Sequence, residues 1–263
     1  MSTDAKPHIR YEIRDRIAYV TIDREEALNT LSPEVRRGLI ESFADASVND
    51  DVWVVVVTGT GPKAFCAGGD LKRNNKNTQA NQRHVQPFTG PDRNVFEVVL
   101  ETYKPTIAAL NGLAYGGGLE LAMACDIRIA ADHVRLALPE AKTGMGCTFG
   151  SVMLPRLVPH GIAMQMLYTA KPLTAQEALH WGLVNMVVPQ AEFTDAVETF
   201  ARGLLENAPL TLRRYKHMAV KGWDLPVHNA LRLDAGPNPY HSEDKKEGVR
   251  AFVEKRKPRW QAK

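Results

Sequence analysis

Two glutamates and two glycine-rich turns are the parts of this sequence whose residue types and spacing suit chemistry. Glu120 stands in an otherwise apolar run, between Leu119 and Leu121-Ala122-Met123-Ala124-Cys125. Glutamate is seldom buried unless it has a partner or a task. A carboxylate in such a run either complements the dipole at a helix start, contributing about 0.3–1 kcal/mol, or is a desolvated group placed for proton transfer. Glu140 follows Pro139 at the end of an apolar stretch, Val134 to Leu138. It reads equally as a surface acid on a loop and as a second proton-transfer group.

The first glycine turn is Ala64-Phe65-Cys66-Ala67-Gly68-Gly69-Asp70-Leu71, and the second is Ala114-Tyr115-Gly116-Gly117-Gly118-Leu119-Glu120. Each follows a predicted strand. Glycine permits positive φ and lets a ligand come close to the backbone. A helix starting directly after the turn leaves N–H groups unpaired, with the positive end of its dipole behind them. Two such turns side by side would supply converging donors, an oxyanion hole. The competing readings of a glycine turn are phosphate binding and plain tight packing. A dinucleotide fingerprint needs a third glycine where Leu121 stands, and Gly61-Pro62-Lys63-Ala64 is not a phosphate loop. No Gly-x-Ser-x-Gly elbow occurs, which disfavours a serine hydrolase.

The elements that would hold these groups alternate between strand and helix. Tyr11–Ile13 and Ile17–Ile22 read as strands, and Ser32-Pro33-Glu34 as a capped helix start carrying Val35, Leu39 and Phe43 at helical spacing. Val52–Thr58 and Thr106–Leu110 are unbroken apolar runs, as expected of strands buried on both faces. Helices are predicted over Val95–Tyr103 and from Leu119 to Cys125, with a strand at Ile127–Ala130. This alternation implies an α/β core. Beyond Leu157 the pattern is helical, over Ile162–Tyr168, Ala175–Trp181, Ala191–Glu206 and Leu210–Lys221, with one strand at Val184–Val188. Ser242 is placed to cap a last amphipathic helix. The division is an α/β core over 1–190 and a helical region over 191–263. Lys72–Asn94 is polar and turn-rich, either a solvated insertion or a lid.

Composition removes several function classes. Lys and Arg number 33 against 30 Asp and Glu, a net charge of +3, with no basic stripe interleaved with aromatics to suggest nucleic acid. Lys255 to Arg259 reads as a solvated helix end. Cys66, Cys125 and Cys147 are few and far apart, so neither a disulfide framework nor a zinc site is indicated. Met1–Arg10 lacks the apolar centre of a signal peptide. No apolar run approaches the roughly 20 residues of a membrane span. A soluble cytoplasmic protein, not bound to membranes, is the expectation.

Several stretches together carry a resemblance. They are Asp23-Arg24 with Ala27-Leu28-Asn29, Phe65-Cys66-Ala67-Gly68-Gly69-Asp70, Lys104 to Gly112, Gly116 to Ala122, Cys125-Asp126, Pro139-Glu140 and Ala178 to Asn185. With these, essentially the whole chain resembles the crotonase (enoyl-CoA hydratase/isomerase) family. The resemblance implies a ClpP-like spiral of ββα units with a C-terminal helical region. It implies an acyl-CoA thioester as substrate, no metal or redox cofactor, and a homotrimer or dimer of trimers. The N–H groups of Gly69 and Gly117 would form the oxyanion hole. Glu140 would exchange a proton at the α carbon, and Glu120 would hold and deprotonate water for the β carbon. Ala27, Lys63, Ala67, Asp70, Leu71 and Lys72 would contact CoA, with Phe252 and Lys255 reaching the CoA of a neighbouring subunit.

The chain also departs from the family pattern. Family hydratases continue after the second glutamate with Gly-x-x-Pro-Gly-x-Gly-Gly-Thr; here the loop is Gly144-Met145-Gly146-Cys147-Thr148-Phe149-Gly150-Ser151. Met145, Cys147 and Phe149 would line the acyl pocket and reshape it. Glu26 stands where a CoA-contacting lysine is common. Leu138-Pro139-Glu140-Ala141-Lys142 and His241-Ser242-Glu243-Asp244 are similar to carnitinyl-CoA dehydratases. Keeping both glutamates implies hydration or its reverse. The alternatives are Δ3-Δ2 enoyl-CoA isomerisation and a non-catalytic acyl-CoA binder. Dienoyl isomerases need a further carboxylate, and Ala141 to Ser151 supplies none.

Overall fold

A computed structural model describes residues 8–70 and 93–263. Leu71, Lys72 and nearly all of the lid-or-insertion segment lie outside them. The chain opens with a hairpin, β1 (Ile9–Arg14) against β2 (Ile17–Ile22), antiparallel. Asp15 and Arg16 turn it with φ of 48° and 70°, the positive values that a two-residue hairpin turn demands. Helix α1 (Pro33–Val48) follows, with the Ser32 hydroxyl accepting from the N–H of Val35 at 3.3 Å.

Next comes a repeated excursion between two sheets. β3 (Val54–Gly59), β5 (Thr106–Leu110) and β7 (Ile127–Ala131) lie parallel in a large sheet of order β1-β2-β3-β5-β7-β10, where β10 is Met186–Val188. After each of the three the chain steps into a small sheet of order β4-β6-β8-β9, made of Ala64–Cys66, Leu113–Tyr115, Arg135–Ala137 and Leu173–Thr174. The route back leads through α2 (Val95–Leu100), then α3 (Gly117–Ala124), then a 3-10 turn (Glu140–Thr143) with the helices beyond it. This is the expected ββα spiral. Its central strands are buried on both faces: Val54, Val55, Val56 and Val57 are each at most 3% exposed, which accounts for their unbroken apolar run.

Two elements near the glycine turns and glutamates differ from the sequence expectation. Helix α3 begins at Gly117, not Leu119. Glycine's weak helix propensity hides the start, and packing overrides it. A helix α4 (Thr148–Leu157) occupies what reads as the tail of a loop. Its buried Phe149, Gly150, Met153 and Leu154 form the inner face, while Gly146, Gly150 and Pro155 mask the periodicity.

The remaining helices are α5 (His160–Thr169), α6 (Ala175–His180), α7 (Phe193–Leu205), α8 (Pro209–Gly222), α9 (Val227–Ala230) and α10 (Glu243–Val253). α7 buries Phe193, Val197 and Ala201 in the main core. The chain end folds back along α10. Lys263 accepts through its backbone oxygen from the N–H of Glu243 at 2.7 Å, and the Asp244 carboxylate accepts from the N–H groups of Gln261 and Ala262. Glu247 accepts from the Arg256 side chain and the Arg259 N–H, so the basic cluster is not merely a solvated helix end. Large apolar side chains remain exposed here, with Phe252 at 86% and Leu231 at 77%. Among the described residues no helix is long and apolar enough to cross a membrane.

Candidate active site

The two glycine turns emerge together at the ends of β4 and β6, which pair in parallel. Gly68 has φ of +89°, and a Cβ there would stand 2.7 Å from the carbonyl oxygen of Tyr115 and 3.2 Å from the amide nitrogen of Gly117. Gly116 has φ of 52° and precedes the first helical residue, Gly117. Only residues without a Cβ allow turns this close with this backbone. The turns are tied down by hydrogen bonds from Leu31 N to Gly68 O at 2.8 Å and from Gly116 N to Ala137 O at 2.9 Å. Among the described residues no backbone acceptor takes the N–H of Gly69 or of Gly117. The Gly117 N–H is the first of α3, with the positive end of the dipole behind it.

Helix α3 then carries Glu120 inward; all eight of its residues are buried, Glu120 at 8% exposure. One carboxylate oxygen, Oε1, accepts from the N–H of Gly150 at 2.7 Å and from the thiol of Cys147, whose sulfur is 3.4 Å away. Glu140 arrives from the other side at the head of the 3-10 turn. Its Oε1 stands 2.7 Å from where a Gly116 Cβ would be. Its Oε2 is buried without a hydrogen-bond partner. Burial pushes the Glu140 carboxyl above the usual range, and the charge of Glu120 adds to the shift. The Cys147 thiol is driven up by burial and then by both carboxylates. Phe149 is buried against Phe96, with ring centroids 5.2 Å apart, and Phe96 and Leu31 wall the first turn of α3 at Gly117. The pair thus differs in environment, one glutamate held by donors and the other favoured as the neutral acid. That is the arrangement general acid–base chemistry uses.

The model of the family described as enoyl-CoA hydratase/isomerase matches residues 12–263. The chain belongs to the crotonase family. An (E)-benzylidenesuccinyl-CoA hydratase from Thauera aromatica is 37% identical over 257 residues, 95% of this chain and 97% of that protein. A carnitinyl-CoA dehydratase from Salmonella paratyphi A is 37% identical over 253 residues, 93% of this chain and 94% of its own. Among solved structures, an enoyl-CoA hydratase from Bacillus anthracis superposes with a TM-score of 0.88 at 32% identity, over 97% of this chain and all of that one. One from Mycobacterium tuberculosis H37Rv gives 0.86 at 32% identity, over 98% and 100%. This crotonase-family chain is an acyl-CoA enzyme of the hydratase/lyase type.

The crotonase site residues expected from sequence fall into three groups. Gly69, Gly117, Glu120, Glu140, Cys147 and Phe149 come together. A second group gathers at the rim: Ala67 donates to Leu28 O at 3.0 Å, Ala27 lies in the 3-10 turn Glu25–Ala27, and Asp70 is ion-paired with Arg24 at 2.8 Å. Lys63 is exposed just before β4, and Met145 is 45% exposed between Glu140 and α4. The third group is not joined to the site within one chain: Phe252 and Lys255 stand exposed at the end of α10, and no hydrogen bond or ion pair links them to it among the described residues. Sequence reasoning missed three contributors. Gly150 donates to Glu120, and its place in a glycine-spaced stretch was the available signal. Arg24 holds Asp70. Arg36, at the edge of the buried face of α1, is a guanidinium desolvated by burial and acted on by the charge of Glu120; nothing in its spacing marks it out. Among the described residues no three His, Cys, Asp or Glu side chains gather as metal ligands would.

Proposed function

We propose that this crotonase reversibly adds water to a 2-enoyl-CoA thioester, giving a 3-hydroxyacyl-CoA. The observation that carries this is the pair Glu120 and Glu140, both turned toward Cys147 beside two touching glycine turns. The thioester oxygen accepts from the N–H groups of Gly69 and Gly117, which favour the enolate most as its charge develops. Glu120 takes a proton from water as the oxygen bonds to the β carbon. Glu140, whose pKa burial raises toward the neutral form, gives its proton to the α carbon. Ala27, Lys63, Ala67, Asp70, Leu71 and Lys72 serve the CoA moiety at the rim, and Met145, Cys147 and Phe149 shape the acyl pocket. The relatives named for benzylidenesuccinyl-CoA and carnitinyl-CoA support an acyl group other than a plain short chain.

A panel of linear, branched and aryl 2-enoyl-CoA thioesters, followed by loss of enoyl-thioester absorbance, tests the reading. Turnover of at least one is expected. Tight binding with no turnover of any would favour a non-catalytic acyl-CoA binder instead. The exposed apolar side chains of the C-terminal region support a trimer or dimer of trimers, with Phe252 and Lys255 meeting the CoA of a neighbouring subunit. Light scattering at micromolar concentration should show the assembly, and a monomer would remove this part of the proposal.

A further inference from the structure

Cys147 occupies the N-cap of α4, yet its side chain caps nothing. The thiol is turned inward instead, toward Glu120 Oε1 at 3.4 Å. Only glycine at position 150 leaves room for it, since a Cβ there would overlap the sulfur. Glu140 lies near it as well, and the thiol offsets part of the burial that raises the Glu140 pKa. Among the described residues, the charges that act on Glu140 and Cys147 are those of the two glutamates, and Arg36 from α1 acts on Glu120. Lys142 and His160, on the turn and helix beside it, are exposed.

Building on the hydration reading above, we propose that the S–H of Cys147 is a donor shared by the two carboxylates, held by Glu120 while that group is charged and turned to Glu140 when the charge passes there. A thiol has one proton and can serve one acceptor at a time. In the resting site the hydrogen bond goes to Glu120. During hydration the water O–H bond breaks, its proton goes to Glu120, and the oxygen bonds to the β carbon. The π electrons pass to the thioester as an enolate. Glu140 then gives its proton to the α carbon, and the electron pair of its O–H bond stays on the carboxylate. Negative charge has moved from one carboxylate to the other, across the thiol. Rotation of the side chain lets the same S–H follow it. The sulfur keeps its proton throughout and attacks nothing, because burial and two neighbouring carboxylates disfavour the thiolate. Cys147 is therefore a positioning residue.

The test compares Cys147→Ala, which deletes the donor, with Cys147→Ser, which keeps one. Alanine should lower kcat about tenfold, the scale of one weak hydrogen bond to a charged group, with KM little changed. Serine should restore most of it. The pH profile supplies a readout that packing alone would not move. The thiol helps Glu140 ionise; without it Glu140 holds its proton to higher pH, so the alkaline limb of kcat moves upward in alanine and back in serine. Iodoacetamide provides a check independent of turnover, since Cys66 and Cys125 are buried. Glu120→Gln removes a charge that suppresses the Cys147 thiolate and should speed its alkylation. An alanine variant with parental kcat and pH profile overturns the proposal. So do alanine and serine variants that are equally impaired, or alkylation indifferent to Glu120. A parent that turns over no 2-enoyl-CoA overturns the hydration reading itself, a result distinct from an active parent that ignores the loss of the thiol.

Discussion

Glu120 rides on a helix buried along its whole length, whereas Glu140 heads a 3-10 turn whose next six residues, 141–146, are all exposed. The first seat is fixed by packing: α3 lies against β4 through Gly118, where a Cβ would overlap the carbonyl oxygen of Cys66. The second is fixed mainly by backbone hydrogen bonds of the turn, among them Met145 N to Glu140 O at 3.1 Å. The hydrogen bonding differs in the same sense. Two donors reach one oxygen of Glu120, while an oxygen of Glu140 is buried with none. Donors suit a charged acceptor, and an unpartnered oxygen in a dry place suits a neutral acid. On the proposed mechanism, two chemically identical side chains are given different work by their supports.

The largest expected effect comes from removing the acid–base groups in turn. Glu120→Gln keeps the shape and the turn contacts but removes the base, and hydration should fall by about 10²–10⁴-fold, the range for one acid–base group. Isomerisation of a 3-enoyl-CoA needs a single carboxylate to move a proton between carbons, so in this variant it should survive better. Glu140→Gln should damage both reactions. Paired absorbance assays of the two variants decide it. Parental hydration by Glu120→Gln would break the comparison, leaving Glu120 a dipole partner and moving the isomerase alternative ahead.

The seats themselves can be tested next, through stability. Gly118→Ala forces a methyl group into the Cys66 carbonyl, and overpacking of this kind costs about 1–3 kcal/mol or more. Gly146→Ala, in the open seat, meets nothing within 4 Å and should stay within about 0.5 kcal/mol of the parent. Urea midpoints measure both. Equal losses would mean that the two seats are equally constrained, against the burial pattern.

Much of this was legible in the sequence, because the features concerned are local. The Ser32 cap, the buried apolar runs of β3 and β5 and the positions of both glycine turns follow from residue type and period alone. What was hidden depends on distant parts of the chain meeting. In the first turn of α3, Gly118 is required by the close approach of Cys66, about fifty residues upstream, while weak glycine propensity points away from helix there. Helix α4 is hidden by Gly146, Gly150 and Pro155, since its inner face is recognisable only once Phe96 is known to lie opposite. Arg36 carries no sequence mark at all: its burial comes from where the helix is laid down. The unusual loop after Glu140 was visible as a departure from the family pattern, but only the fold shows that it delivers a thiol and an N–H to Glu120.

The smallest effect comes from the raised pKa of Glu140. Burial and the neighbouring charge hold this carboxyl above its unfolded value. Between the two values the folded chain binds a proton that the unfolded chain has released. Stability therefore falls as pH rises through that window, because folding must then bury a charge or retain a proton against the solution. Below the ordinary carboxyl range both states are protonated and the cost disappears. Glu140→Gln carries the same shape without the charge. The melting temperature of Glu140→Gln should accordingly match the parent at low pH and exceed it progressively as pH rises through the folded value, while hydration is lost at every pH. Thermal melts of both proteins in a series of buffers from about pH 4 to pH 8, spanning the ordinary carboxyl range and above it, provide the measurement. A difference that stays flat with pH would mean that Glu140 is ionised in its seat at no cost. The two glutamates would then be alike in their surroundings, and the division of labour drawn from their supports would not hold.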